Sequence, residues 1–369
     1  MSELLKVGIT HGDYNGVGYE VALKAMADET VTELYTPVFY GIPALVEKTA
    51  ADFELELPEL RIINDASEAE EGYLNIVDLG IKEVKLTPGH PDRQSGAAAV
   101  AALEKGVADV LAGTIDTLVT APISKEAVQT EEFQFPGHTE FLGARSNSKP
   151  LMILYYEGLR MALLTTHKAI ADIPGAVTKE RVMETVRELD ATLKQDFDIQ
   201  APKIAVLSLN PHNGDGGLLG TEEIRDIRPA IEELGDKFLV FGPFAADGFF
   251  ASNSWRKYDG VIAMYHDQGL APFKALAGPE GVNFTAGLPF VRTSPDHGTG
   301  NDIAWQGVAD PQSMRQAIYS AIDLTRNRRR NIEAAANPLP RMPERPDRGE
   351  RRGAPQERGN KQDKNKAAE

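Results

Sequence analysis

Three of the seven histidines share a context that could do chemistry. MALLTTH ends at His167, KIAVLSLNPH ends at His212, and YDGVIAMYHD carries His266. Each follows an apolar, β-rich run and stands where a strand gives way to a loop. In open α/β sheets ligands bind beyond the carboxyl ends of the strands, so parallel strands would bring the three to one edge. Neutral imidazole is a common nitrogen ligand for divalent transition metals, and three protein ligands with an open position is the pattern of a catalytic site. The competing reading is that a histidine after a strand only caps or packs. The separations of 45 and 54 residues form no local metal motif, so the residue pattern leaves both readings open.

The composition narrows the chemistry. There are no cysteines, which excludes disulfides and thiolate metal sites, so a transition metal must use His, Asp or Glu. Absence of cysteine also fits a reducing, cytoplasmic setting. The net charge of −16 argues against general nucleic-acid binding. It is unevenly spread: residues 341–369 carry nine basic and six acidic groups, a net of +3, which leaves −19 on the rest. An anionic substrate therefore needs a locally positive pocket in an acidic body, made by a few Lys and Arg residues. No apolar run approaches the roughly 18 residues of a membrane helix, and the start MSELLKVGIT shows no signal-peptide pattern. No membrane or nucleic-acid partner is expected.

The elements that must position these groups alternate in type. Residues 4–10, 36–41, 73–79 and 117–122 read as strands, with a helix near 19–28. The Ala-rich stretch 94–113 reads as a helix ending at Gly113. Strands follow at 151–156, 160–166, 203–209, 238–241 and 260–265, and helices at 178–195, 221–234, 249–257 and about 311–334. Thr178 is the expected N-cap of the 178–195 helix, whose Val182, Met183, Val186, Leu189 and Leu193 keep the helical period. The alternation predicts an α/β fold with a mostly parallel sheet. We expect a catalytic unit of two interleaved subdomains over 1–336 and a disordered charged tail over 337–369, where apolar residues almost vanish. The loop THGDYNGVGYE (10–20) has Gly12, Gly16 and Gly18, which miss the G-x-G-x-x-G spacing of a dinucleotide loop.

The stretches around the histidines are more specific than their spacing. LRMALLTTH (159–167), LSLNPHNGDGG (207–217), YHDQGLAPFK (265–274) and RTSPDHGTG (292–300) resemble the 4-hydroxythreonine-4-phosphate dehydrogenase family of vitamin B6 biosynthesis. PGHTEFL (136–142) and TAPISKEAV (120–128) agree, and the resemblance runs from about Lys6 to Arg330. It implies an isocitrate/isopropylmalate-dehydrogenase-like two-domain fold, with an active-site cleft between the domains at the interface of a homodimer. It implies His167, His212 and His266 as ligands of a divalent zinc, magnesium or cobalt ion, His266 coming from the other subunit. His138, Thr139, Lys274, Asn283 and Arg292 match substrate-binding positions. Lys and Arg supply the charge that a phosphorylated carboxylate needs, and Arg can hold an oxyanion through two parallel hydrogen bonds. Asp247 matches a polar position facing the substrate, and Asp267 is read as orienting the His266 imidazole.

Residues 296–310 resemble the nucleotide loop of the wider decarboxylating dehydrogenases. His297, Gly298 and Asp302 would serve NAD, with NADP as the alternative, and Gly300, Asn301, Trp305 and Gln306 depart from that pattern. The family usually has Pro at the positions of His11, Tyr14 and Tyr19 and a small residue at Asn15. The implied reaction is metal-dependent, NAD-linked oxidation and decarboxylation of 4-phosphohydroxy-L-threonine to 3-amino-2-oxopropyl phosphate. Asp247 is the first candidate for the base, with Lys125 and Asp267 behind it. Two relatives' substrates, 4-phospho-D-threonate and 4-phospho-D-erythronate, form an alternative within the family. Outside it stand a three-His metal hydrolase or aldolase and a non-catalytic phosphometabolite-binding protein.

Overall fold

The computed structural model describes residues 4–130, 133–135 and 137–338. The tail expected over 337–369 lies, from residue 339 on, outside the described residues. Twelve strands form a single sheet among those residues. The first five in the chain are β1 (Lys6–Thr10), β2 (Thr36–Gly41), β3 (Leu60–Ile63), β4 (Leu74–Asp78) and β5 (Thr117–Thr120). The hairpin β6 (Leu151–Tyr156) and β7 (Leu159–Leu163) follows, then β8 (Lys203–Leu207), β9 (Leu239–Phe244) and β10 (Gly260–Ala263). The last pair is β11 (Val282–Ala286) and β12 (Val291–Pro295). The order across the sheet is β3-β4-β2-β1-β5-β12-β11-β6-β7-β10-β8-β9.

The pairing is mostly parallel, as the alternation predicts, but the sheet reverses in its middle. β3, β4, β2, β1, β5 and β12 form one parallel block, and β7, β10, β8 and β9 form another. Three antiparallel pairings join them, β12 to β11, β11 to β6 and β6 to β7. The two blocks therefore run in opposite directions. β7, β10 and β8 are parallel neighbours, so the chain leaves all three at one edge, and His167, His212 and His266 lie just beyond their ends.

Local sequence fixes the elements that flank the cleft. Asp92 caps the helix Arg93–Ala112 by accepting from Ser95 N at 2.9 Å, and Asp92 N donates in return to Ser95 Oγ. Such a capping box contributes about 1 kcal/mol. Gly113 closes the helix with φ of 75°, as its residue type predicts. A Cβ at Gly96 would lie 2.1 Å from the Ala127 carbonyl oxygen, so this helix presses backbone to backbone on the loop that carries Lys125. Thr178 caps Lys179–Gln195 by accepting from Arg181 N. Two site helices do not follow from the sequence pattern, His138–Ser146 and His266–Ala277. The second carries Pro272 inside it, a residue that normally signals a helix end. No helix among the described residues is long and apolar enough to cross a membrane.

Candidate active site

The three antiparallel strands at the sheet reversal form the floor of a cavity of about 350 Å³. Side chains alternate across a strand, so Met152 and Leu154 of β6, Asn283 and Thr285 of β11, and Arg292 and Ser294 of β12 share one face. The register sets Asn283 opposite both Leu154 and Ser294. Loops close the walls from both blocks: residues 120–125 after β5, residues 295–298 after β12, His167 after β7 and His266 after β10. The first turn of His138–Ser146 adds His138, Thr139 and Glu140, and Lys274 projects from His266–Ala277. The five residues matched to substrate binding, His138, Thr139, Lys274, Asn283 and Arg292, thus line one cavity.

Arg292 dominates its electrostatics. The residue is 1% exposed, and among the described residues its guanidinium has hydroxyl hydrogen-bond partners and no ion pair. Nε and Nη2 donate to Thr120 Oγ1, and Nη1 donates to Thr285 Oγ1 at 2.9 Å. A guanidinium has five N–H donors, so two remain. Burial pushes its pKa down from the ordinary arginine range to about 9, opposed by the charge of Glu140. A buried cation without a counter-ion is costly unless a ligand supplies one. Other polar atoms around the cavity are also buried and without a partner: His138 Nε2, Glu140 Oε2, Asn283 Oδ1 and His297 Nε2. Burial, then the charges of Arg292 and Lys125, holds His138 well below the usual histidine pKa, so it is neutral. These features describe a site built for a polar anion.

The imidazoles at the cavity mouth carry carboxylate partners. His167 Nδ1 lies 3.6 Å from Glu140 Oε1, and His266 Nδ1 lies 2.7 Å from Asp267 Oδ1. The contact with His167 leads the causes that hold the Glu140 carboxyl below its ordinary pKa. A carboxylate on one nitrogen orients the ring and leaves Nε2 for a ligand, the usual outer partner of a metal-bound histidine. The two ring centroids are 6.2 Å apart. Two imidazoles bound tetrahedrally to one ion at about 2.0–2.1 Å have centroids roughly 5 Å apart, so these rings stand about 1 Å wider than a shared ion would hold them. His266 therefore stands beside His167 of its own chain, whereas the resemblance implies that it serves the other subunit.

His212 stands apart from that pair. It lines an adjoining cavity of about 560 Å³ with Asp247, Asp267 and Tyr265. Among the described residues no group of three metal-ligating side chains converges within one chain. The imidazole nitrogens are donors that suit a divalent ion, and within one chain His212 does not join the His167–His266 pair. His212 begins a left-handed run, with φ from 43° to 75° through Gly216. Such backbone costs about 1–2 kcal/mol at each non-glycine residue. Buried Glu223 anchors the loop by accepting from the backbone N–H groups of Leu209 and Asn210 and from Asn210 Nδ2.

A third cavity, of about 290 Å³, shares Asp296, His297 and Gly298 with the first, and its lining also includes Val17, Gly281, Gly300, Ile303 and Asp310. Two of the three expected cofactor residues, His297 and Gly298, face it. Asp302 is exposed beyond its lining, its carbonyl accepting from Gln306 Nε2. The departures have structural work. Trp305 adopts φ of 60°, donates Nε1–H to the Tyr14 carbonyl and packs on Phe53. The N-terminal glycines serve chain packing: a Cβ at Gly12 would strike the Pro122 carbonyl, at Gly16 that of Thr299, and at Gly18 that of His11. Asp13 N donates to Pro122 O, tying this loop to the one carrying Lys125.

His11 in that loop is fully buried beside Tyr19, ring centroids 5.0 Å apart. Burial outweighs its backbone contacts with Gly12 and Ala98 and lowers its pKa from 6.5 to about 4. Below pH 6.5 the unfolded chain binds a proton that the folded chain refuses, so stability falls on acidification until about pH 4. The total is about 3 kcal/mol. Denaturant midpoints measured from pH 7 to pH 4 are expected to fall more steeply for this protein than for His11→Phe. Parallel slopes would show that His11 is not the titrating group.

The comparisons with known proteins agree with this geometry. The family model described as pyridoxal phosphate biosynthetic protein PdxA matches residues 33–321. A 4-hydroxythreonine-4-phosphate dehydrogenase of Bacteroides thetaiotaomicron is 52% identical over 340 residues, covering 91% of this chain and 93% of that protein. A D-threonate 4-phosphate dehydrogenase of Pectobacterium atrosepticum is 36% identical over 323 residues, covering 86% and 98%. The crystal structure of 4-hydroxythreonine-4-phosphate dehydrogenase from Klebsiella pneumoniae superposes with a TM-score of 0.75 at 34% identity, covering 88% of this chain and all of that one.

Proposed function

The chain belongs to the family of the pyridoxal phosphate biosynthetic protein PdxA, and from that premise we propose that it oxidises and decarboxylates 4-phosphohydroxy-L-threonine to 3-amino-2-oxopropyl phosphate. One observation carries the reading: Arg292, a buried cation with no ion-pair partner among the described residues, lies on the floor of a cavity that also holds Lys125 and Lys274. An anionic substrate supplies the missing counter-ion. His138 and Asn283 offer uncharged partners to its polar groups, and Thr139 lies at the positive end of a helix.

The same reading assigns NAD, with NADP as the alternative, to the cavity lined by His297 and Gly298, and a divalent zinc, magnesium or cobalt ion to His167, His266 and His212. NAD would supply the hydride acceptor, and the ion would supply positive charge beside the developing oxyanion and enolate. The protein's own part is to hold the acid's anionic groups on Arg292 and the lysines, to keep His138 neutral and to hold the His167 and His266 rings through Glu140 and Asp267. Asp247 shares a cavity with His212, and both would reach substrate in a homodimer whose active site spans two copies. The chain's setting is proposed to be cytoplasmic.

A second substrate has its own support, the D-threonate 4-phosphate dehydrogenase among the relatives. Both substrates carry the phosphate and hydroxyl that this cavity suits and differ in the amino group. The relatives named above are dehydrogenases, which favours this reading over a hydrolase or an aldolase. The test follows NADH absorbance with metal-loaded protein on 4-phosphohydroxy-L-threonine beside 4-phospho-D-threonate and 4-phospho-D-erythronate. Reduction with the amino substrate is expected. Reduction only with the other two moves the enzyme to sugar-acid oxidation, and none with any of them overturns the reading.

A further inference from the structure

Two cavities that meet along a shared wall need a group able to act in both. Residues 296–298 form that wall between the substrate cavity and the one assigned to the nucleotide, and Asp296 is the carboxylate common to both linings. Its position is fixed from two sides. Asp296 N donates to Ser313 Oγ at 2.9 Å and to the Gly281 carbonyl, and Ser313 Oγ–H donates to the same carbonyl. The absence of a side chain at Gly281 makes room, since a Cβ there would lie 3.2 Å from Asp296 Oδ2. Lys274 Nζ donates to the Asp296 carbonyl at 3.0 Å and stands 3.7 Å from Oδ1, too far for a direct hydrogen bond. The backbone that carries the carboxylate is therefore held in place, and Oδ1 faces Lys274 without a direct hydrogen bond.

The other acidic groups near the chemistry each border only one cavity. Glu140 faces His167, Asp267 binds His266, and Asp247 opens on the neighbouring cavity. We infer that Asp296 is the general base that takes the proton from the substrate hydroxyl. The inference rests on the dehydrogenase reading above. In the step, the O–H bond breaks and its proton passes to the Asp296 carboxylate. The two electrons of the neighbouring C–H bond leave as hydride to the oxidised nicotinamide, and C–O becomes C=O. The carboxylic acid then returns its proton to water through the cavity mouth. Burial raises the Asp296 carboxyl above its ordinary pKa, opposed by the charges that face it, Lys274, then His297 and His266. A base brought closer to neutral accepts a proton more effectively.

The test compares the protein with Asp296→Asn and Asp296→Glu. Asp296→Asn is expected to lose about 10²–10⁴-fold in kcat and to bind inorganic phosphate, followed by calorimetry, within about threefold of the parent. The acid limb of the parent's kcat–pH profile should vanish, and Asp296→Glu should restore part of the rate. Carbon-13 NMR of the aspartate carboxyls adds a readout independent of turnover: one resonance titrating above the usual range should disappear in Asp296→Asn. An active parent with Asp296→Asn within threefold of its kcat overturns this assignment alone. Weakened phosphate binding with an unchanged acid limb also overturns it and makes Asp296 a positioning residue for Lys274. A parent inactive on all three acids overturns the dehydrogenase reading and this base together.

Discussion

Arg292→Met is expected to lower kcat/KM for a phosphorylated hydroxy acid by about 30- to 5,000-fold and to leave the fold standing. The range follows from the roughly 2–5 kcal/mol lost when one partner of a buried, hydrogen-bonded charge pair is removed. The sign on stability is the discriminating part. In the free protein Arg292 spends three donors on hydroxyls and has no ion pair among the described residues. Replacing a buried charge by an apolar chain of similar length is often neutral or stabilising. Methionine is therefore expected to hold or raise Tm while calorimetry shows phosphate binding lost. A large fall in Tm would mean that Arg292 is a structural strut, and unchanged phosphate affinity would take the anion away from this residue.

His212→Ala is expected to cost at least about 100-fold in turnover, since loss of an outer partner of a metal ligand alone typically costs 10–100-fold. The fold should be untouched, because His212 is exposed and the loop's anchor is Glu223 rather than the imidazole. Chelation of the native protein should remove the same activity, and zinc, magnesium or cobalt should restore it. Near-parent turnover in His212→Ala, with metal content unchanged, would remove His212 from the ligand set. His167 and His266 face one another without it, so the variant also separates a two-imidazole site within one chain from a site completed by a second copy.

Much of this was legible in the residues. The apolar runs of β1, β2, β5, β8 and β10 announce buried parallel strands, and the histidines after β7, β8 and β10 share an edge for that reason. In the middle of the sheet β6 and β7 were legible, but β11 and β12 were not. β11 reads VNFTA and β12 reads VRTSP, with polar side chains at alternate positions because one face is the cavity floor. Those residues look like loop until their partners are known. The helix that begins at His266 is concealed by Gly269 and Pro272. Gly269 is required because a Cβ there would lie 2.6 Å from Leu163 Cδ2. Glu140 and Asp296 went unnoticed because their value lies in what they face, His167 and the wall between two cavities, and neither neighbour is close in sequence. Asp296 had one faint signal, its place directly before His297 in RTSPDHGTG.

The strand order has a consequence for biosynthesis. β12 inserts between β5 and β11, and Thr117 of β5 bonds the carbonyl of Val291, 174 residues later. During translation β5 must wait as an exposed edge, able to pair wrongly, until the chain has emerged past residue 295. That closing strand is also the one that carries Arg292. A nascent or truncated chain lacking β12 therefore has neither a sealed sheet nor an anion pocket, and a phosphorylated ligand added during refolding can stabilise only molecules that have completed it.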